Sequence, residues 1–131
     1  MKCHAQTQVA EFYAAAEDVL QKTNENVLEM RKLMQSLRDE GLLTPAPFDE
    51  PIEFVYFDYW HYFGRTAKHG AFMGGADFVQ WHGNYELLKL KYELEEMASD
   101  LRRAAQERRG EGEAGDADAA AAGDPPNDGN G

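Results

Sequence analysis

The sequence predicts a mainly α-helical protein built on two long amphipathic helices, at about residues 7–43 and 76–109. Two observations support this prediction. Neither stretch contains proline, which would interrupt a helix. In both, apolar residues recur at alternating steps of three and four, the spacing of one helix face. We expect the two helices to form an antiparallel pair.

The first predicted helix carries the apolar seam of a heptad repeat. The seam consists of Val9, Tyr13, Ala16, Leu20, Thr23, Val27, Met30, Met34 and Leu37. Thr7 is the predicted N-cap, and Gly41 followed by Pro45 predicts the end. At 1.5 Å per residue this helix is roughly 50 Å long, more than a small globule alone can cover.

The second predicted helix has two apolar faces in its first half. One face is formed by Leu87, Leu90, Leu94, Met97, Leu101 and Ala104, and the other by Trp81, Tyr85, Leu88 and Tyr92. A helix that is apolar on two sides is expected to lie between two neighbours. The wide stripes on both long helices exceed what one partner helix would cover, so we expect a homodimeric bundle.

The central segment, residues 50–63, is rich in aromatic residues and is compatible with either a short helix or a strand. Its composition favours a strand. Its spacing favours a helix, because Ile52, Val55, Tyr56, Tyr59, Trp60 and Phe63 fall on one helical face. Residues 64–75 contain four glycines and are predicted to form a flexible loop.

The charge is unevenly divided along the chain. Of the net charge of −11, residues 1–109 contribute −5, from 18 acids and all 13 bases, and residues 110–131 contribute −6. The second segment is rich in Gly and Ala, so we predict a helical domain over 1–109 and a disordered acidic tail over 110–131. Without a Lys/Arg cluster, direct binding to nucleic acid or to an anionic membrane is not expected.

The expected location is the cytoplasm. Cys3 is the only cysteine, so no disulfide can form within the chain. The sequence shows neither the apolar core of a signal peptide nor a run of about 20 apolar residues that could span a bilayer.

No motif predicts an enzyme or a cofactor. The serine, threonine and cysteine residues lie in no recognisable catalytic motif. The one arrangement with metal-ligand character pairs Asp58 with His61 and His82 with Glu86. If both pairs lie on facing helices, they could supply two nitrogens and two oxygens to a metal ion. A metal-binding bundle is therefore an alternative hypothesis.

The dense aromatic content favours a protein-binding role, since Tyr and Trp are enriched in interaction hot spots. The residues predicted to bind a partner are Tyr56, Tyr59, Trp60, Tyr62, Phe72, Trp81 and Tyr85. An adaptor, assembly chaperone or inhibitor fits, and the small size is compatible with origin in a phage or mobile element. A further alternative is an acidic mimic of nucleic acid that occupies a partner's basic groove.

Overall fold

The structure, a computed structural model, describes residues 5–121, and within this range it contains helices and no strand. Helix α1 is Gln6–Asp39. Helix α2 occupies 51–72 and consists of α-helical Pro51–Phe57, π-helical Asp58–Phe63 and α-helical Gly64–Phe72. The predicted mainly α-helical class is confirmed, and the central segment is helical rather than extended.

Helix α3 occupies 76–121. It consists of α-helical Ala76–Val79, π-helical Gln80–Asn84 and α-helical Tyr85–Ala121. None of the helices in the described part of the chain has a stretch both long enough and apolar enough to cross a membrane.

The end of α1 is a glycine-terminated helix cap. Gly41 has φ +69°, in the left-handed region that glycine adopts without steric cost. The Leu42 N–H donates to the Leu37 carbonyl and the Gly41 N–H donates to the Arg38 carbonyl, which together form the Schellman arrangement. The helix therefore ends at Asp39, four residues earlier than predicted, and it begins at Gln6 with Ala5 as N-cap rather than Thr7.

The predicted flexible loop over 64–75 was wrong for most of its length, because residues 64–72 continue α2. The small residues in this stretch pack against the other helices. Gly64, Ala67 and Gly70 are buried. A Cβ atom on Gly83 of α3 would lie 2.8 Å from the Cα of Ala67, and one on Gly70 would lie 2.9 Å from a ring carbon of Phe78. The backbones of α2 and α3 can approach this closely because these positions lack larger side chains.

The two long helices run parallel, not antiparallel as predicted. The α1–α3 ion pairs join Glu29 to Lys91 and Glu40 to Arg102, so the residue numbers rise together along both helices. In contrast, α1 and α2 are antiparallel. Lys68 donates a hydrogen bond to Asn24, and Arg38 donates one to Glu53. The reason is that α2 is a full helix. It reverses the chain direction once, and α3 reverses it again.

The core lies where α2 packs between α1 and α3. The buried residues of this cluster are Met30, Met34, Leu37, Leu43, Ile52, Tyr59, Ala67, Leu87, Leu94 and Ala98. On α1 the seam is buried only from Ala16 onwards, while residues 5–15 are all exposed. The first turns of α1 therefore extend beyond the packed part of the bundle.

Helix α3 extends to Ala121, twelve residues beyond the predicted end at Arg109. Residues 106–111 are exposed, so no packing supports the helix there, and alanine-rich sequence has a high intrinsic helix propensity. The division into a domain over 1–109 and a tail over 110–131 stays a prediction, since an unpacked helical extension does not enlarge the packed domain. Residues 122–131 of the predicted tail, like residues 1–4, lie outside the described residues.

Substituting Gly83 with Ala is expected to lower the free energy of unfolding by about 1–3 kcal/mol, because the added methyl group overlaps Ala67 and forces α2 and α3 apart. The matched control is Gly110→Ala in the same helix, where an added Cβ meets no atom within 4 Å. The control should be neutral or stabilising by up to about 1 kcal/mol. Urea unfolding followed by circular dichroism measures both, and equal stability of the two variants would contradict the close packing.

Candidate protein-interaction surfaces

The structure divides the predicted partner-binding residues into core and surface. Tyr59 is only 1% exposed and belongs to the core, and Tyr56 is partly buried against it. For Tyr59 the prediction of a surface role was wrong, because this residue lies on the side of α2 that faces the core. Tyr56 is half-buried, and its role in binding stays a prediction. The other five predicted residues are exposed: Trp60, Tyr62, Phe72, Trp81 and Tyr85.

One group of aromatic rings covers the N-terminal half of α2. We call it the α2 aromatic cluster, and its members are Phe48, Phe54, Phe57, Trp60 and His61. The ring of Phe57 has its centroid 5.6 Å from that of Phe48, 5.7 Å from that of Trp60 and 4.6 Å from that of His61, on which it stacks. The ring centroids of Phe48 and Phe54 are 5.4 Å apart. Although these rings pack together, Phe48, Phe54 and Trp60 remain exposed.

The backbone of Phe48 is strained. Its φ of +58° lies in the left-handed region, which costs a residue with a bulky side chain roughly 1–2 kcal/mol. The segment before α2 is fixed by side-chain bonds around this residue. Glu53 accepts from Arg38 Nη2 at 3.1 Å and from the Asp49 N–H at 3.3 Å, and Thr44 Oγ1 donates to Asp49 Oδ2 at 2.6 Å. These bonds hold Phe48 at the surface despite the strain.

A second apolar surface runs along α3. We call it the α3 stripe, and it consists of Trp81, Tyr85, Leu88 and Tyr92. All four side chains are exposed, by 66%, 54%, 53% and 64% respectively. The sequence predicted that this half of the helix lies between two neighbours. Within the chain only the Leu87 and Leu94 side is covered, so the second predicted neighbour does not come from this chain and stays a prediction.

A groove between α1 and α3 borders the stripe. It has a volume of ≈ 520 Å³, and Leu88 and Tyr92 line it together with Asp18 and Lys22 of α1. Tyr59 lies at its base and is shielded from bulk water. This burial raises the pKa of Tyr59 to about 12, and the negative charges of nearby glutamates add to the shift. The groove therefore has a mixed lining, with apolar side chains such as Leu87 and Leu88 beside charged side chains of both helices.

Two ion pairs join α1 to α3, and one of them involves Lys91, which also lines the groove. Lys91 Nζ lies 2.6 Å from Glu29 Oε2, and this hydrogen bond raises the pKa of Lys91. Arg102 lies 2.6 Å from Glu40 and lowers the pKa of that carboxyl group. Acids of α1 are thus matched with bases of α3. This pairing adds no support to the acidic-mimic alternative, which stays a prediction.

The four residues of the metal-binding alternative do not come together as a ligand set. His61 stacks on Phe57, and His82 packs against Phe78 with ring centroids 5.0 Å apart. Among residues 5–111, whose side chains are described, no group of three or more His, Cys, Asp or Glu side chains could hold a metal ion. Both histidines instead contribute to aromatic packing, so the geometry gives this alternative no support.

Sequence reasoning missed several of the exposed apolar residues. Phe48 precedes the helix that it packs against, so helical periodicity could not include it. A usable signal was its position just before the N-terminus of α2 with Phe54 in the second turn, a pattern close to the hydrophobic staple. Leu88 and Tyr92 were recognised as a stripe but were assigned to the buried interior.

No family model, curated protein or solved structure matches this chain. The two surfaces are therefore the basis for a functional proposal.

Replacing Tyr59 with Phe is expected to reduce the loss of stability at alkaline pH. The pKa is near 10 in the unfolded chain and about 12 in the folded protein. Above pH 10 the unfolded state releases this proton while the folded state retains it, so folding is progressively disfavoured until about pH 12. Urea unfolding at pH 9 and pH 11.5 tests this expectation. The difference between the two pH values should be smaller for Tyr59→Phe than for the wild type, whereas an equal difference would contradict the buried phenol.

Proposed function

We propose that this protein is a small non-enzymatic interaction factor, such as an adaptor, assembly chaperone or inhibitor, that acts in the cytoplasm and binds another protein through the α2 aromatic cluster. The observation that carries the proposal is the strained backbone of Phe48, whose ring lies exposed against other aromatic rings. Backbone strain of this kind tends to occur at functional sites, where the surrounding structure maintains it.

The composition of the cluster supports a binding role. Aromatic side chains bury a large area at a small cost in rotamer entropy, and Trp is among the residues most enriched in binding hot spots. Trp60 and Phe54 are exposed on adjacent turns of the same helix. A partner that covered both side chains would gain more binding free energy than it would from scattered apolar contacts.

The rigidity of the cluster supports the same conclusion. Phe57 contacts three other rings of the cluster, and the hydrogen bonds of Glu53 fix the segment that presents Phe48. A surface that is already ordered loses less entropy when it binds, so more of the contact energy appears as affinity.

Substituting Trp60 with Ala is expected to weaken partner binding by more than about 1 kcal/mol, which is at least about fivefold in Kd. The measurement is quantitative mass spectrometry of proteins retained from the native host by immobilised wild-type protein, followed by titration calorimetry with the recovered partner. Tyr13→Ala is the matched control, since Tyr13 is an exposed aromatic residue on α1 outside the cluster.

Circular dichroism of both variants establishes that they are folded. Equal retention of the partner by the Trp60 and Tyr13 variants would contradict a role for the α2 aromatic cluster. Retention of no protein above that found with an unrelated helical protein would contradict the proposed function as a whole.

A further inference from the structure

We propose that the α3 stripe is the contact surface for a second copy of this chain, with the two α3 helices packed antiparallel about the midpoint between Tyr85 and Leu88. The two members of the dimer would each keep an α2 aromatic cluster, because the two surfaces have no residue in common. The inference is thus independent of the function proposed for that cluster.

The spacing of the stripe supports a helical partner. From Tyr85 to Tyr92 the steps are three and four, as in the seam of a coiled coil. Trp81 precedes Tyr85 by four residues across the π-helical turn, and its ring centroid lies 5.9 Å from that of Tyr85. The stripe is also symmetric about its midpoint. When a second α3 is reversed and placed against the first, Trp81 lies level with Tyr92 of the copy, and Tyr85 with Leu88 of the copy. A surface that matches its own reversed copy satisfies the requirement of a twofold interface.

The exposed area is of the size that a dimer requires. An aromatic side chain presents about 150–250 Å² in total. With the observed exposures of 53% to 66%, the four side chains offer on the order of 400–500 Å² from each copy. A standard interface buries about 800 Å² per partner. The stripe alone supplies at least about half of this area, before the flanking residues are counted.

The charges that follow the stripe favour the antiparallel arrangement. Glu95, Glu96 and Asp100 continue along α3 on the exposed side. In a parallel dimer each of these acids would lie level with its own copy, and like charges at close range repel. In the antiparallel dimer the two acidic segments lie at opposite ends of the interface, roughly 25–40 Å apart at 1.5 Å per residue.

The groove beside the stripe gives the largest side chain of the copy a place to bind. Tyr92 and Leu88 line the groove of ≈ 520 Å³ between α1 and α3, and Trp81 of the second copy lies level with Tyr92 in this arrangement. A ring that enters a groove next to other apolar side chains is the geometry of a hot spot. The dimer would thus have two such anchors, related by symmetry.

The first test is the oligomeric state, measured by sedimentation equilibrium of the full chain between about 1 and about 200 μM, which covers the weak end of the affinities found for interfaces of standard area. We expect the wild type to have twice the monomer mass of 14.7 kDa. Leu88→Glu should raise the dimer Kd at least about 30-fold. Leu28→Glu is the matched control, because Leu28 has 50% exposure against 53% for Leu88 but lies on the side of α1 away from the groove, and it should leave the dimer intact.

The second test is the orientation of the helices. A nitroxide label on Ser99→Cys, in a Cys3→Ser background, places one label on the exposed side of each α3. Antiparallel packing predicts about 40 Å between the two labelled backbones, and parallel packing about 10 Å. Pulsed electron paramagnetic resonance distinguishes these distances.

Each result decides the proposal. A wild-type monomer at the highest concentration would overturn it and would leave the stripe to a different protein. A dimer that Leu88→Glu does not weaken would overturn the assigned surface, and a short distance between labels would overturn the antiparallel arrangement. Partner retention that depends on Trp60 would be unaffected by any of these outcomes, so failure of the dimer is distinguishable from failure of the proposed function.

Discussion

The arrangement of this molecule depends on the close contact between α2 and α3 at Ala67 and Gly83. Only small residues permit the separation observed, since an added Cβ on Gly83 would lie 2.8 Å from Ala67. The contact keeps residues 64–72 helical and places α2 between the two long helices. It also determines which side of α3 faces inward, because Gly83, Leu87 and Leu94 share that side. The opposite side is thereby left for the stripe.

The long helices could be predicted from sequence because their apolar residues repeat over many turns. The buried positions Ala16, Thr23, Met30 and Leu37 follow one another at steps of seven, and the predicted seam contained all of them. The direction of the helices could not be predicted in the same way. Gly64 and Gly70 have the composition of a loop, and their role in packing becomes visible only when the neighbouring helix is present. Because that loop is a helix, the second long helix points the other way.

The sequence predicted that the candidate surfaces are aromatic, but it did not predict which aromatic residues are exposed and which are buried. Aromatic residues were expected to bind a partner, and five of the seven named are exposed. Periodicity alone does not distinguish Tyr59, which is buried, from Trp60, which is exposed. The π-helical turns at Asp58–Phe63 and Gln80–Asn84 contribute to this difficulty, because they change the number of residues per turn where the aromatic residues are concentrated. The exposure of the Phe48 ring depends on a left-handed backbone conformation, which the spacing of residues does not predict.

The parallel course of α1 and α3 determines where the first residue of α1 and the last residue of α3 lie. Paired residues of these helices differ by 62 in number, so Gln6 and Ala121 lie at opposite poles of a rod about 80 Å long at 1.5 Å per residue. An antiparallel pair of long helices would have brought them to the same pole. Partners that bind near Gln6 and near the far end of α3 would therefore lie at opposite ends of the molecule.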